Sequence, residues 1–170
     1  MRRFIRPFLI VICSLSATTA LAQGEAIQGV FVSTDTSKAA IIQAIYTAIA
    51  KMNFLTRAVA RSRLLATNPL YQRIEITNDG SQITVRYDKG RPVVMPADGS
   101  EVKWTRDDGE EFNVAARAQG AQLQQTFKAE DGQRLNQFSL SPDGTLTLNV
   151  TIESPRLPAP LKYSLTYRRH

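Results

Sequence analysis

From Ile74 onward, apolar and polar side chains alternate in short runs. Ile74 and Ile76 alternate with Arg73, Glu75 and Thr77, and Ile83, Val85 and Tyr87 alternate with Thr84 and Arg86. The pattern returns through Val93–Met95, Val102 and Trp104, Phe112–Ala116, Leu123–Phe127, Leu135–Leu140, Leu146–Ile152 and Leu161–Tyr167. A period of two puts neighbouring side chains on opposite faces of a strand, so each run has one apolar and one polar face. Gly-bearing turns such as Asn78-Asp79-Gly80 and Asp143-Gly144 separate the runs. Connections this short cannot cross a sheet, so successive strands are antiparallel neighbours. Two irregularities stand out. Pro92 and Pro96 flank Val93–Met95 and weaken that strand, and parity slips between Leu135 and Phe138, where a bulge is expected.

The earlier part of the chain has a different rhythm. Ile27–Val32 reads as a short first strand, and Ser33-Thr34-Asp35-Thr36 offers side-chain acceptors for a helix start. Residues 37–66 contain neither Gly nor Pro, and Ile42, Ile45, Ile49, Met52 and Val59 recur at helical spacing. Asn53 sits near the middle of this run, at a point where two helices could meet, so the run is either one helix or two, and Pro69 disfavours helix at Asn68. The predicted fold is mainly β, or β-rich α+β. It is an antiparallel up-and-down meander of nine to ten strands forming a barrel or half-barrel, with a helical region over 36–66 inserted after the first short strand. Curling removes exposed edges. The strands are shorter than the 9–11 residues a membrane barrel needs, and aromatic girdles are missing.

The first residues, Met-Arg-Arg-Phe-Ile-Arg-Pro, precede an apolar stretch and then Ala20-Leu21-Ala22. This is the layout of a secretory signal, with cleavage expected after Ala22. Residues 23–170 are then one exported domain, periplasmic or extracellular. The lone cysteine, Cys13, lies in the leader, so the mature chain offers no disulfide or thiolate. The formal charge of +6 includes three leader arginines. Without them, eighteen basic and fifteen acidic residues leave +3, which with no recognisable motif argues against nucleic-acid binding.

Catalytic chemistry finds little support. The sole histidine is His170, the last residue. No Gly-x-Ser-x-Gly elbow or phosphate-binding Gly loop is present. Asp107, Asp108, Glu110 and Glu111 surround Gly109, but their spacing fits no calcium loop, and acids at a hairpin tip are ordinary solvated turn residues. The expectation is a non-enzyme without metal or cofactor. Trp104, Phe112, Phe127, Tyr163 and Tyr167 fall on the apolar parity and are candidates to line an interior site. Gln125 shares that face, and a buried amide needs a partner. Arg106 shares the parity of Trp104 and is placed to meet an acidic group at the barrel end. Lys51, Arg57, Arg61 and Arg63 form the candidate interaction surface, because the stretch from Thr36 to Arg73 has no acid. A basic amphipathic helix of this kind suits an anionic membrane surface.

The order of one strand, a helical segment and nine further strands resembles the fatty-acid-binding-protein branch of the calycin superfamily. Gly29-Val30-Phe31 is similar to the Gly-x-Trp of calycin first strands, with Phe for Trp. The resemblance implies a ten-strand barrel with a helical lid and an interior ligand site. It also implies an Arg-x-Tyr clamp for a carboxylate on the last strand. Tyr167 matches the Tyr, but Leu165 stands where the Arg belongs, so that clamp is not intact. The helical region is also longer than the family's lid. The expected function is binding of a small hydrophobic or amphipathic ligand inside a lidded barrel, by a monomer. The alternative is a non-enzymatic envelope interaction protein with a packed barrel, acting through its basic helix.

Overall fold

A computed structural model describes residues 27–36 and 38–170; the signal-like leader and Cys13 lie outside the described residues. Ten strands and two helices follow in the order β1 (Gly29–Ser33), α1 (Ala39–Ile49), α2 (Phe54–Thr67), β2 (Arg73–Asn78), β3 (Gln82–Tyr87), β4 (Val93–Pro96), β5 (Val102–Thr105), β6 (Glu111–Gln119), β7 (Gln122–Ala129), β8 (Gly132–Leu140), β9 (Thr145–Glu153) and β10 (Leu161–Arg169). All strands are antiparallel in one sheet ordered β4-β3-β2-β1-β10-β9-β8-β7-β6-β5. The first and last strands pair, with Phe31 opposite Arg169 and Ser33 opposite Tyr167. The sheet thereby curls into a nearly closed antiparallel barrel. At the turn between β9 and its predecessor, Gly144 takes a positive φ of 80°, a region that disfavours a Cβ.

Closure stops between β4 and β5, which share no ladder. Pro92 and Pro96 bracket β4 and remove backbone donors there, which suits an edge strand. Two side chains span the gap: the Trp104 indole Nε1–H donates to the Pro92 carbonyl at 3.1 Å, and Arg91 Nη1 donates to the Thr105 carbonyl at 3.2 Å.

The inward parity carries the core, including Phe31, Ile74, Ile76, Ile83, Val85, Met95, Val114, Leu123, Phe138, Leu146, Leu148 and Leu165, all buried. The expected bulge in β8 is absent. Its ladders to β7 and β9 run without a break, so Arg134, Asn136 and Phe138 share the inward face while Leu135 points outward. Leu135 misled the parity, because a polar pair at Arg134 and Asn136 occupies the positions expected to be apolar.

The helical region is two helices, broken at 50–53. Asn53 caps α2, accepting from the Thr56 backbone N–H at 3.0 Å through Oδ1. Arg57 closes the break from the other side, donating to the carbonyls of Ala50 (2.7 Å) and Met52 (2.6 Å) at the end of α1. These carbonyls would otherwise lack intrahelical partners. The acceptors foreseen before α1 serve another purpose. Asp35 Oδ2 accepts from the Thr166 N–H and Thr34 Oγ1 donates to the Thr166 carbonyl, stitching the chain to β10. Helix α1 buries Ile41, Ile45, Ala48 and Ile49 and packs against β10. Ile45 and Ile49 match the sequence expectation, whereas Ile42 is 39% exposed because Ile41 takes the inward position. Each buried isoleucine contributes about 1.5–3 kcal/mol. Helix α2 buries no residue and rests mainly on α1. Its Val59, expected on the apolar face, is 70% exposed.

Candidate functional site

The barrel interior divides into a packed end and a hollow mouth. Two cavities occupy the mouth. One, of about 330 Å³, lies inside the strands and is bordered by Tyr71, Tyr87, Val93, Trp104, Phe112, Phe127, Arg134 and Asn136. The other, of about 680 Å³, lies between α2 and the strand ends. Met52, Leu55, Val59, Ala60 and Leu64 line it from the helices' side, and Phe112, Phe127, Ile152 and Leu157 from the barrel. Thr67, Arg106, Phe112, Phe127 and Arg134 border both cavities and so form their common wall.

Strand register builds that wall. Trp104 on β5 pairs with Phe112 on β6, and Val114 on β6 pairs with Phe127 on β7. The three rings meet with centroids 5.8 to 6.1 Å apart, Phe112 and Phe127 edge to face. Such contacts add about 0.5–1.5 kcal/mol per pair beyond area burial.

A hydrogen-bonded polar chain runs beneath the rings. The Tyr87 hydroxyl donates to Gln125 Oε1. Asn136 Nδ2 donates to the Tyr87 hydroxyl at 2.8 Å and to Gln125 Oε1 at 3.1 Å. Gln125 Nε2 reaches the Met95 sulfur at 3.7 Å. On the other side, Arg134 Nε donates to Asn136 Oδ1 at 2.8 Å, Nη1 to Asn68 Oδ1 at 3.2 Å and Nη2 to the Tyr163 hydroxyl at 3.3 Å. Asn68, the C-cap of α2, also accepts from the Tyr163 hydroxyl and donates to the Leu64 carbonyl. The chain therefore reaches from β4 to the last turn of α2. Burial raises the pKa of the Tyr87 and Tyr71 hydroxyls, with the charge of Arg134 opposing the shift. For Arg134 itself, burial lowers the pKa, but Tyr163, Tyr71 and Tyr87 outweigh it and the net shift is upward. Arg134 is a fixed cation.

Of the residues singled out from sequence, Trp104, Arg106, Phe112 and Phe127 line the cavities. Gln125, Tyr163 and Tyr167 do not. Gln125 is fully buried and has the partners its burial requires. Tyr163 holds Arg134 and Asn68. The Tyr167 ring is fully buried, and its hydroxyl has no hydrogen-bond partner among the described residues. Arg106 is neutralised locally. It makes a two-point contact with Asp108 at 2.9 and 2.7 Å and a further ion pair with Glu110, and it lies over the Phe112 ring. The Arg106 hydrogen bond holds the Asp108 carboxyl down to about 2. Sequence reasoning missed Arg134, Asn136, Asn68 and Tyr71. Counting β8 backward from Phe138 and Leu140 places Arg134 and Asn136 inside.

The basic surface has partly structural duties. Arg57 closes α1, and Arg61 donates to the Tyr46 hydroxyl at 2.9 Å with its guanidinium over that ring. Lys51 and Arg63 are exposed, as are Phe54 and Leu55 at 79% and 67%. Among the described residues no acidic or histidine cluster suits a metal ion, and no helix is long and apolar enough to cross a membrane.

No family model matches the chain, and no curated protein matches it. Solved structures do. A Schistosoma mansoni fatty acid binding protein in complex with arachidonic acid superposes with a TM-score of 0.53 at 14% identity, over 84% of this chain and 95% of the other. Echinococcus granulosus fatty-acid-binding protein 1 gives 0.52 at 11% identity, over 84% and 96%. Human cRBP IV gives 0.51 at 14% identity, over 85% and 98%. The chain has the calycin fold, in the form shared by these fatty-acid- and retinol-binding barrels. By their names, these neighbours are binding proteins.

Proposed function

We propose that the protein is an exported, monomeric carrier, without catalytic activity, for a small apolar or amphipathic molecule. The ligand is held at the barrel mouth with α1 and α2 as its cover. The observation that carries this reading is the pair of cavities sharing the Phe112–Phe127 wall, in a fold whose solved neighbours bind fatty acids and retinol. Ligand burial would supply about 25 cal/mol per Å² of apolar surface before the costs of association. The test is native mass spectrometry of mature protein drawn gently from its own compartment, before and after denaturation. A reproducible extra mass that leaves on unfolding supports the carrier. Bare protein that no lipid or metabolite stabilises overturns it.

A second reading is favoured by the exposed Phe54 and Leu55 beside Arg61 and Arg63: an envelope protein acting through α2 on an anionic membrane surface. Arg61→Gln with Arg63→Gln separates the two readings, since Arg57 is needed to close α1. Loss of binding to phosphatidylglycerol-containing vesicles supports the membrane role, with the ligand-affinity comparison made on Lys51→Gln with Arg61→Gln, since Arg63 borders the larger cavity. Unchanged vesicle binding removes it.

A further inference from the structure

We propose that the occupant is an uncharged alkylated aromatic molecule, of the alkylphenol type, with its planar ring in the smaller, inner cavity and its alkyl tail in the larger, outer one. This rests on the carrier reading above and deepens it by giving each cavity its own chemistry. The two cavities share a wall but differ in what they offer a ligand. The inner one is bordered by five rings: Tyr71, Tyr87, Trp104, Phe112 and Phe127. Val93 is the one Val, Leu, Ile or Met that borders it among the described residues. The outer one is bordered by Met52, Leu55, Val59, Leu64, Ile152 and Leu157, and its only rings among the described residues are Phe112 and Phe127 of the shared wall.

The five rings come as two groups. Trp104, Phe112 and Phe127 belong to β5, β6 and β7 and touch one another. Tyr71, on the link from α2 to β2, and Tyr87, on β3, form a pair with centroids 4.6 Å apart. To an alkyl chain such rings offer only area. To a planar ring they also offer the offset and edge-to-face contacts that aromatic pairs favour. Size agrees. An apolar cavity of about 150 Å³ takes a benzene ring, so the inner cavity of about 330 Å³ has room for one substituted ring or two fused ones.

The polar groups favour a neutral ring substituent. The hydroxyls of Tyr87 and Tyr163 are hydrogen-bonded, whereas that of Tyr71 has no hydrogen-bond partner among the described residues. It can donate to a ring carbonyl or exchange a hydrogen bond with a phenol. Charge selects neither sign of head group. Arg91, Arg106 and Arg134 border the inner cavity together with Asp107 and Asp108, and Glu110 pairs with Arg106. The other end of the barrel is filled by residues such as Phe138, Leu148 and Tyr167. A tail on the ring is therefore directed past the shared wall, into the aliphatic cavity under α2.

The experiment is calorimetric titration of the protein with para-decylphenol, para-decylcyclohexanol and decanol, with Trp104 fluorescence as a second readout. Trp104 is the sole tryptophan and borders the inner cavity. Para-decylphenol should bind about tenfold tighter than para-decylcyclohexanol, which has the same tail and hydroxyl but no planar ring. Tyr71→Leu should cut that preference to about twofold. Leu55→Asn with Val59→Asn, on a helix that buries no residue, should weaken both ligands alike and keep the preference. Bromine on the ring of para-decylphenol should quench Trp104 by contact, and bromine at the end of the tail should not. The wild-type comparisons stand even where Tyr71→Leu fails to fold. Para-decylcyclohexanol or decanol binding as tightly as para-decylphenol overturns the ring assignment and leaves the carrier intact. So does Tyr71→Leu keeping the full preference, or quenching by the tail bromine in place of the ring bromine. Binding of no probe at all overturns the carrier reading with it.

Discussion

Replacing Asn136 with Leu tests whether the polar chain holds the barrel or merely sits in it. Asn136 is fully buried, and its amide makes three hydrogen bonds: to the Tyr87 hydroxyl, to Gln125 Oε1 and from Arg134 Nε. Leucine keeps the γ-branched shape of asparagine with bulkier tips, so the change leaves no cavity and acts through these lost bonds, with some overpacking added. Two neutral bonds are worth about 1 kcal/mol each and the charge-assisted one about 1.5–3 kcal/mol. Tyr87 and Gln125 still bond each other, but Arg134 Nε is left facing an apolar group. Against this, leucine gains apolar burial, so a net loss of about 3 kcal/mol is expected, a large part of the roughly 5–15 kcal/mol of a typical domain. Equilibrium urea unfolding followed by the fluorescence of Trp104, the sole tryptophan, reads it directly. With a slope of about 1–3 kcal/mol per molar urea, the midpoint should fall by about 1–3 M at unchanged slope. A midpoint within about 0.3 M of wild type would refute the reasoning and mean that the chain contributes no net stability.

Tyr167→Phe should behave oppositely. It removes a buried hydroxyl without a partner among the described residues, so stability should hold or rise by up to about 1 kcal/mol, and a loss larger than that in the same assay would reveal a partner for the hydroxyl. Asn53→Ala removes the cap of α2, worth about 1 kcal/mol. Because α2 buries no residue, amide exchange should quicken within α2 while the global midpoint barely moves, and a global shift would show α2 to be part of the cooperative core. The Arg106–Asp108 pair sets a pH signature. Its carboxylate is depressed to about 2, so its stabilisation is present above the unfolded value near 3.9 and is lost as pH falls through about 2. A carbon NMR titration of the Asp108 carboxyl should therefore have its midpoint near 2, and a midpoint near 4 would mean the pair is open in solution.

The barrel was legible because its information is local. Turn residues and two-residue alternation specify each hairpin, whereas the run over 36–66 left one helix or two open until the Asn53 cap placed the break. What escaped were residues whose meaning depends on partners far along the chain. Asn68 reads locally as a helix stop, yet its oxygen is tied to Tyr163, 95 residues away. Arg134 and Asn136 read as solvent-facing in a run where Leu135 claims the apolar phase. Only the ladders to β7 and β9 turn them inward. Gln125 lay between these cases, since its parity foretold burial and hence a partner, but not that the partners would be Tyr87 and Asn136. Arg106 shows the reverse error. Its parity suggested a free cation at the mouth, whereas the acids two and four residues on claim it first.

The seam between β4 and β5 has a consequence for how the chain could be rewired. The described chain ends meet at the β1–β10 ladder, where the His170 N–H donates to the Val30 carbonyl at 2.9 Å. Joining them by a short linker and cutting between Pro96 and Val102 would give a circular permutant that starts with β5 and ends with β4. Every ladder in the sheet would then link consecutive strands, and the one pairing that now spans the whole sequence would become a local hairpin closed by the new linker, with α1 and α2 remaining between β1 and β2. Contact order would fall while the native contacts stayed the same, so refolding in a stopped-flow experiment should accelerate with little change in the unfolding rate.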